Sequence, residues 1–213
     1  MNKPTNTKLA GYLLLIAIYF TLRATGLLSR CEWFMVIPTL FASVAAFTHG
    51  RKGGWLIPLA LLFSAAGDYG GAINAFIPQV GCFAVVHIFY ICDFMPRCRI
   101  SKGKLIGAIL YSLPLIAYLV FVVMRTAVWA EATAISIYGA IILSMGLSTL
   151  FQERTHRWWY LLAATIFVFS DAVIVYIRVV DSIPHAGTII MATYYTAQGI
   201  FLALHSLRRN SQD

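Results

Sequence analysis

The sequence predicts an all-α polytopic membrane protein of eight transmembrane helices. Three observations lead there. Of 213 residues, 60% are hydrophobic and only 11% charged, where a soluble domain carries about 25% charged residues. The apolar residues gather into eight runs, and the positive charge between the runs alternates from one side to the other. A hydrocarbon core about 30 Å thick is crossed by roughly 20 helical residues, and backbone in lipid must satisfy its own hydrogen bonds, as a helix does. The runs are continuously apolar rather than alternating, which fits a β-barrel poorly.

In chain order the spans are 9–22, 33–48, 55–73, 78–95, 105–124, 132–151, 158–180 and 186–205, within one integral membrane domain over residues 1–213. The first run lacks a small-residue cleavage site after it and reads as a retained span rather than a signal peptide. Trp33, Trp55, Trp129, Trp158 and Trp159 fall at the starts of their helices, where aromatic belts sit. Connections are short, and "PRCRISKGK" (96–104) is the most polar of them. Cys31, Cys82, Cys92 and Cys98 show no metal-binding spacing.

The formal charge of +8 does not point to nucleic acid, because its distribution is topological. Lys3, Lys8, Arg51, Lys52, Arg97, Arg99, Lys102, Lys104, Arg154, Arg157, Arg208 and Arg209 fall on one side, twelve in all, against Arg23, Arg30, Arg125 and Arg178 on the other. Basic residues concentrate on the cytoplasmic face. The expected location is therefore the cell (inner) membrane with both termini cytoplasmic, and the basic side attracts anionic lipid heads.

Two carboxylates interrupt the apolar runs: Asp68 in "FSAAGDYGGAINAF" and Asp171 in "IFVFSDAVIVYI". Each follows a tryptophan (Trp55 or Trp158) by thirteen residues, a faint echo of a four-plus-four internal repeat. At 1.5 Å per residue both lie roughly 20 Å above the inner belt. An aspartate at the centre of a lone spanning helix costs about 2.5–3.5 kcal/mol, so both should face an interior polar cavity. Repulsion and burial would leave one protonated and one ionised, the arrangement in which one group donates a proton while the other directs water. The alternative is a structural pair bonded to hydroxyls such as Ser64, one turn below Asp68.

His87 and Tyr90 share a face of the fourth helix, where the histidine could orient a carboxylate, relay a proton or serve packing. On the last helix Tyr194 and Gln198 are spaced i, i+4 with Tyr195 beside them, as a cavity wall or as glue between helices. Gly67, Gly70 and Gly71 signal close packing, an unwound segment or room for a substrate chain. Arg23 and Arg178, near outer helix ends, could hold a phosphate or snorkel to head groups. Asp93 and Asp181, close to helix ends, read as solvated. His49, His156, His185 and His205 are given no role. Metal ligation has no motif behind it: HxxxH and HExxH are absent, as is a phosphate-binding glycine loop.

At these residues the chain resembles the lysoplasmalogenase family of the YhhN type. The likeness rests on "LLFSAAGDYGGA", "GCFAVVHIFY", "YGAIILSM", "IFVFSD" and "TYYTAQGI", in that order between positions 61 and 200. The family tends to carry Lys-Pro in its second helix, whereas Ile37 precedes Pro38 here. The resemblance implies a cofactor-independent membrane hydrolase whose substrate is a lysophospholipid. It would cleave the vinyl ether of lysoplasmalogens to a fatty aldehyde and a glycerophospho-head group. Asp68 and Asp171 would then be the catalytic pair, with His87, Tyr90, Tyr194, Tyr195, Gln198, Ser64, Arg23 and Arg178 binding or supporting. The competing reading is a proton-coupled transporter of small molecules or lipids using the same aspartates. An intramembrane aspartyl protease fits poorly, because Ala65 stands where its GxGD motif needs glycine. A purely structural role would predict that both Asp→Asn variants are tolerated.

Overall fold

The computed structural model describes residues 3–27, 32–48 and 54–208. Arg30, Arg51, Lys52 and Arg209 of the charge pattern lie outside the described residues, as do Cys31 and His49. Among the described residues there are eight α-helices and no strand. They are α1 (Lys3–Ala24), α2 (Val36–Phe47), α3 (Leu56–Ala72), α4 (Phe76–Phe94), α5 (Lys102–Arg125), α6 (Trp129–Phe151), α7 (Arg157–Val179) and α8 (Ala186–Arg208).

All but α2 and α3 are long and apolar enough to cross a membrane. The second span is entered through a 3₁₀ turn, Glu32–Met35, leaving only 12 residues of α-helix after it. The chain is a multi-span membrane protein, and its exposed surface agrees. Ile106, Ile109, Leu110, Leu113, Ile116 and Met124 of α5 are all exposed, and Val122 is the one residue of that helix described as buried. A contiguous apolar face of that extent is matched by lipid rather than water. All five tryptophans are exposed as well, at the helix starts where the sequence places aromatic belts.

Local chemistry explains several helix ends. Ser101 caps α5, its hydroxyl accepting from the Lys104 backbone N–H at 3.4 Å. The turn after α3 uses Asn74 at φ 55°, and the freed carbonyls of Gly70 and Gly71 accept from Ala75 and Asn74.

The helices fall into two compact units, residues 1–89 with 198–213, and residues 90–197. In the first, α2 packs on α1 and α3, tied to α3 by the buried Ser43 hydroxyl donating to the Pro58 carbonyl at 3.0 Å. The glycines of α3 serve close approach to α4. A Cβ on Gly67 would sit 2.8 Å from the Phe83 ring, and one on Gly70 would sit 3.1 Å from the Gln79 backbone. The helix remains α-helical through Gly67, Gly70 and Gly71. Of the three uses the sequence leaves open, this is packing and not unwinding.

In the second unit α6 packs on both α5 and α7. Asp93 departs from its expected solvation. It is 9% exposed and receives the Arg154 guanidinium on its carboxylate at 2.7 Å, with a second Arg154 donor on its own backbone carbonyl. The same guanidinium lies over the rings of Phe94 and Tyr160. Proximity to a helix end therefore did not imply water, since an arginine from the α6–α7 connection covers the carboxylate.

Candidate active site

The α3 face that carries Asp68 is set by helical periodicity. Ile57, Leu61, Ser64 and Asp68 recur at three- and four-residue intervals and are all buried. Asp68 itself is 2% exposed, twelve residues into the helix, about 18 Å along its axis. Below it, Ser64 accepts a hydrogen bond from Gln198 Nε2 at 2.8 Å, both side chains being fully buried. Ser64 and Gln198 were singled out separately in the sequence, and the structure brings them together.

Two residues of α1 complete this half of the picture. The Tyr19 hydroxyl lies within electrostatic reach of the Asp68 carboxylate and accepts from Arg23 Nη1 at 3.5 Å. Arg23 thus points its charge back along α1 toward the tyrosine. Tyr19, 1% exposed, was missed in the sequence. Its i, i+4 spacing from Arg23 was the available signal. His87 is fully buried on α4 in the same unit.

Asp171, in the second unit, is also 2% exposed and stands on the unbroken helix α7. The Tyr138 hydroxyl of α6 reaches its carboxylate as a hydrogen-bond partner. The flanking residues fix the register of α7. Ser170 donates to the Ile190 carbonyl of α8 at 3.0 Å, and Tyr118 of α5 donates to the Ala172 carbonyl at 2.5 Å. Tyr138 opens the "YGAIILSM" stretch, where a tyrosine in an apolar run reads as packing until its partner is known.

Asp171 and Tyr138 lie on the wall of a pocket formed by α5, α6 and α7. The pocket encloses about 510 Å³ including its open mouth, and the rest of its lining is almost entirely apolar, Leu119, Val122, Ile142 and Val175 among it. One lining residue, Ile116, is exposed on the outer surface of α5. Close beyond the pocket, Arg178 of α7 donates from Nη2 and Nε to the two carboxylate oxygens of Glu131 at the start of α6.

The aromatic candidates of this unit form a cluster. Tyr90 is fully buried, stacks on Phe94 and meets Phe167 in a T-shaped pair. Tyr194 packs against Phe167 and Tyr195 at 5.5 Å from each ring. Chemically, then, the chain offers two buried carboxylates, each with a tyrosine hydroxyl nearby, and one of them opens on an apolar pocket. Among the described residues no three His, Cys, Asp or Glu side chains converge as a metal ion would need.

The model of the YhhN family matches residues 7–204. The lysoplasmalogenase TMEM86B of Mus musculus is 29% identical over 210 residues, covering 94% of this chain and 86% of that protein. The protein of the same name from Homo sapiens is 28% identical over 209 residues, with the same coverage of 94% and 86%. That from Sus scrofa is 30% identical over 200 residues, covering 89% and 82%. No solved structure matches the chain.

Proposed function

The chain belongs to the YhhN family, and on that footing we propose that it is a membrane hydrolase that cleaves the vinyl ether bond of lysoplasmalogens. Its standing as an enzyme follows from relatives named lysoplasmalogenase along 94% of its length. The observation that carries the finer reading is Asp171. It is a buried carboxylate, held by Tyr138, on the wall of an otherwise apolar pocket within membrane-spanning helices. A lysophospholipid is an amphiphile delivered by the bilayer, and such a pocket suits its chain.

A vinyl ether hydrolyses by protonation of its β carbon, which leaves an oxocarbenium ion on the carbon bound to oxygen. Water adds there, and the resulting hemiacetal collapses to a fatty aldehyde and the glycerophospho-alcohol. The proton placed on carbon is balanced by the proton that water gives up, so no redox partner or cofactor is required. Asp68 and Asp171 supply the two roles, one as acid and one as the carboxylate that stabilises the cation and steers water. The logic is that of the two carboxyl groups of a glycosidase. Away from bulk water, a fixed carboxylate stabilises a developing cation far more strongly than it would in solution. The Tyr138 hydroxyl keeps Asp171 in place, and Tyr19, paired with Arg23, lies within electrostatic reach of Asp68. The charge pattern supports a cytoplasmic position for both termini.

The test is release of fatty aldehyde from a lysoplasmalogen by the purified protein in detergent, followed through a coupled alcohol dehydrogenase. Asp68→Asn and Asp171→Asn, each checked for retained folding, should both lose activity by at least about a hundredfold. Full activity in either variant removes that aspartate from the chemistry, and an inactive wild-type protein refutes the assignment.

A further inference from the structure

The pocket beside Asp171 and the Arg178–Glu131 ion pair both draw on α6 and α7. Their registers join them. On α7, Val168, Asp171, Ala172 and Val175 line the pocket, and Arg178 follows Val175 by one helical turn. On α6, Ile135, Tyr138 and Ile142 line it, and Glu131 precedes Ile135 by one turn. The two helices run oppositely here, so the Arg178–Glu131 pair closes the end of the pocket formed by the start of α6 and the end of α7. The result is an apolar slot with a cation and an anion side by side at one end and a single carboxylate on its wall.

From this register we infer that the slot is the amphiphile-binding site. Arg178 and Glu131 hold a zwitterionic phospho-head group, phosphate to guanidinium and ammonium to carboxylate, and the aliphatic chain lies along α5, α6 and α7. The inference rests on the hydrolase reading for the identity of the lipid, but its geometry stands on its own. Seven residues separate Arg178 from Asp171, about 10 Å along the helix. In a lysoplasmalogen seven bonds separate the phosphorus from the β carbon of the vinyl ether, a reach of at most roughly 10 Å at about 1.5 Å per bond. A head group at Arg178 thus delivers the reacting carbon to Asp171.

The pair also suits its task chemically. Arg178 is half-exposed, with 47% of its side chain accessible against 17% for Glu131, so one face of the guanidinium remains accessible. Arginine pairs with phosphate through two parallel N–H bonds. Farther down, Leu119 lies against the bare backbone of Gly139, where a Cβ would come within 2.6 Å of it. These two residues set the width of the slot, and Ile116 gives it a lipid-facing rim.

The experiment uses a lysophosphatidylethanolamine whose chain is a saturated ether carrying a diazirine. It lacks the double bond, so acid cannot cleave it, and occupancy is read without turnover. In the intact protein it should crosslink to residues 115–122 and 135–143. Arg178→Gln should weaken it about tenfold while leaving 1-O-hexadecylglycerol, which has no phosphate, unchanged, and Arg178→Lys should recover part of the loss. Glu131→Gln should weaken the ethanolamine probe but not the same lipid without its ethanolamine. Ala172→Leu, which fills the slot, should weaken both probes by about tenfold for every two methylenes displaced. Leu119→Ala, which widens it, should admit a branched chain and serves if Ala172→Leu does not fold.

Crosslinks spread over all lipid-facing helices would make the slot ordinary lipid contact and overturn the inference. Equal weakening of both probes by Arg178→Gln would overturn the head-group assignment. Specific crosslinking with no aldehyde released from the alkenyl lipid would sink the hydrolase reading and leave the slot standing. Aldehyde release with the probe bound elsewhere would do the reverse.

Discussion

Tyr138→Phe is the sharpest test of how Asp171 works. The substitution removes one oxygen and keeps the ring, which is 3% exposed between α5 and α7. Packing is therefore preserved, and the chief loss is the hydroxyl that reaches the Asp171 carboxylate. A hydrogen bond to a charged group contributes about 1.5–3 kcal/mol. If the carboxylate is ionised when the oxocarbenium ion forms, that bond is in use at the transition state. One factor of ten per about 1.4 kcal/mol then gives a fall of roughly 10- to 150-fold in turnover. Binding depends on the slot and the ion pair, so KM should change less than about threefold. The assay is aldehyde release at saturating and limiting substrate, with thermal unfolding alongside. Unchanged turnover in a folded variant would refute the idea that Tyr138 holds a working Asp171. An equal loss of stability and activity would make the hydroxyl structural.

Other expectations test the fold and the topology. Gly70→Ala should destabilise by about 1–3 kcal/mol, because its Cβ meets the backbone of Gln79 at 3.1 Å. Gly81→Ala, which meets nothing within 4 Å, should be neutral or stabilising by up to about 1 kcal/mol, as read by denaturation of the two variants side by side. Asp93→Ala should cost about 3–5 kcal/mol by leaving the Arg154 charge buried and unpaired, and a double-mutant cycle with Arg154→Ala should return a large coupling. In a chain without other cysteines, Ser101→Cys should react with an impermeant maleimide only after cells are opened, while Ser182→Cys reacts in intact cells. The opposite pattern would invert the orientation. Burial pushes the Cys98 thiol up, against the opposing pull of Lys104 and Arg154. At neutral pH the folded protein should therefore alkylate there more slowly than the unfolded chain, and speed up as pH rises.

Eight helices and both carboxylates were legible because lipid enforces simple rules. A backbone without water must be helical, and an aspartate in such a helix must be turned inward. Asp68 and Asp171 stand out by chemistry alone, and the structure buries both. The Gln198–Ser64 bond was half legible: each residue is conspicuous in an apolar helix, but their meeting is a long-range contact between α3 and α8. Tyr19, Tyr138 and Glu131 were not legible as site residues. A tyrosine among aliphatic residues, or a glutamate in the first turn of a helix, has an ordinary explanation until the register of a neighbouring helix supplies a partner. The same reason accounts for Asp93. Its position at a helix end suggested water, and only the path of the α6–α7 connection brings Arg154 onto it. The glycines of α3 followed suit, for sequence marks space while only the facing Phe83 and Gln79 say what fills it.

The helices through the two aspartates also bear on the choice between catalysis and transport. Transporters that bind ions and substrates at the midplane commonly interrupt their helices there, so that loose carbonyls and half-helix ends can coordinate and release the cargo. Here α3 remains helical from Leu56 to Ala72 across Asp68, and α7 from Arg157 to Val179 across Asp171. The glycines that could have broken α3 are occupied in packing against α4. Both carboxylates therefore stand on rigid elements, which favours holding a reacting group in one geometry over passing a cargo between two. In proteoliposomes, aldehyde release should consequently be the same with and without a proton gradient. A rate that collapses with the gradient, or accumulation of intact lipid on one side, would return the aspartates to a transport cycle.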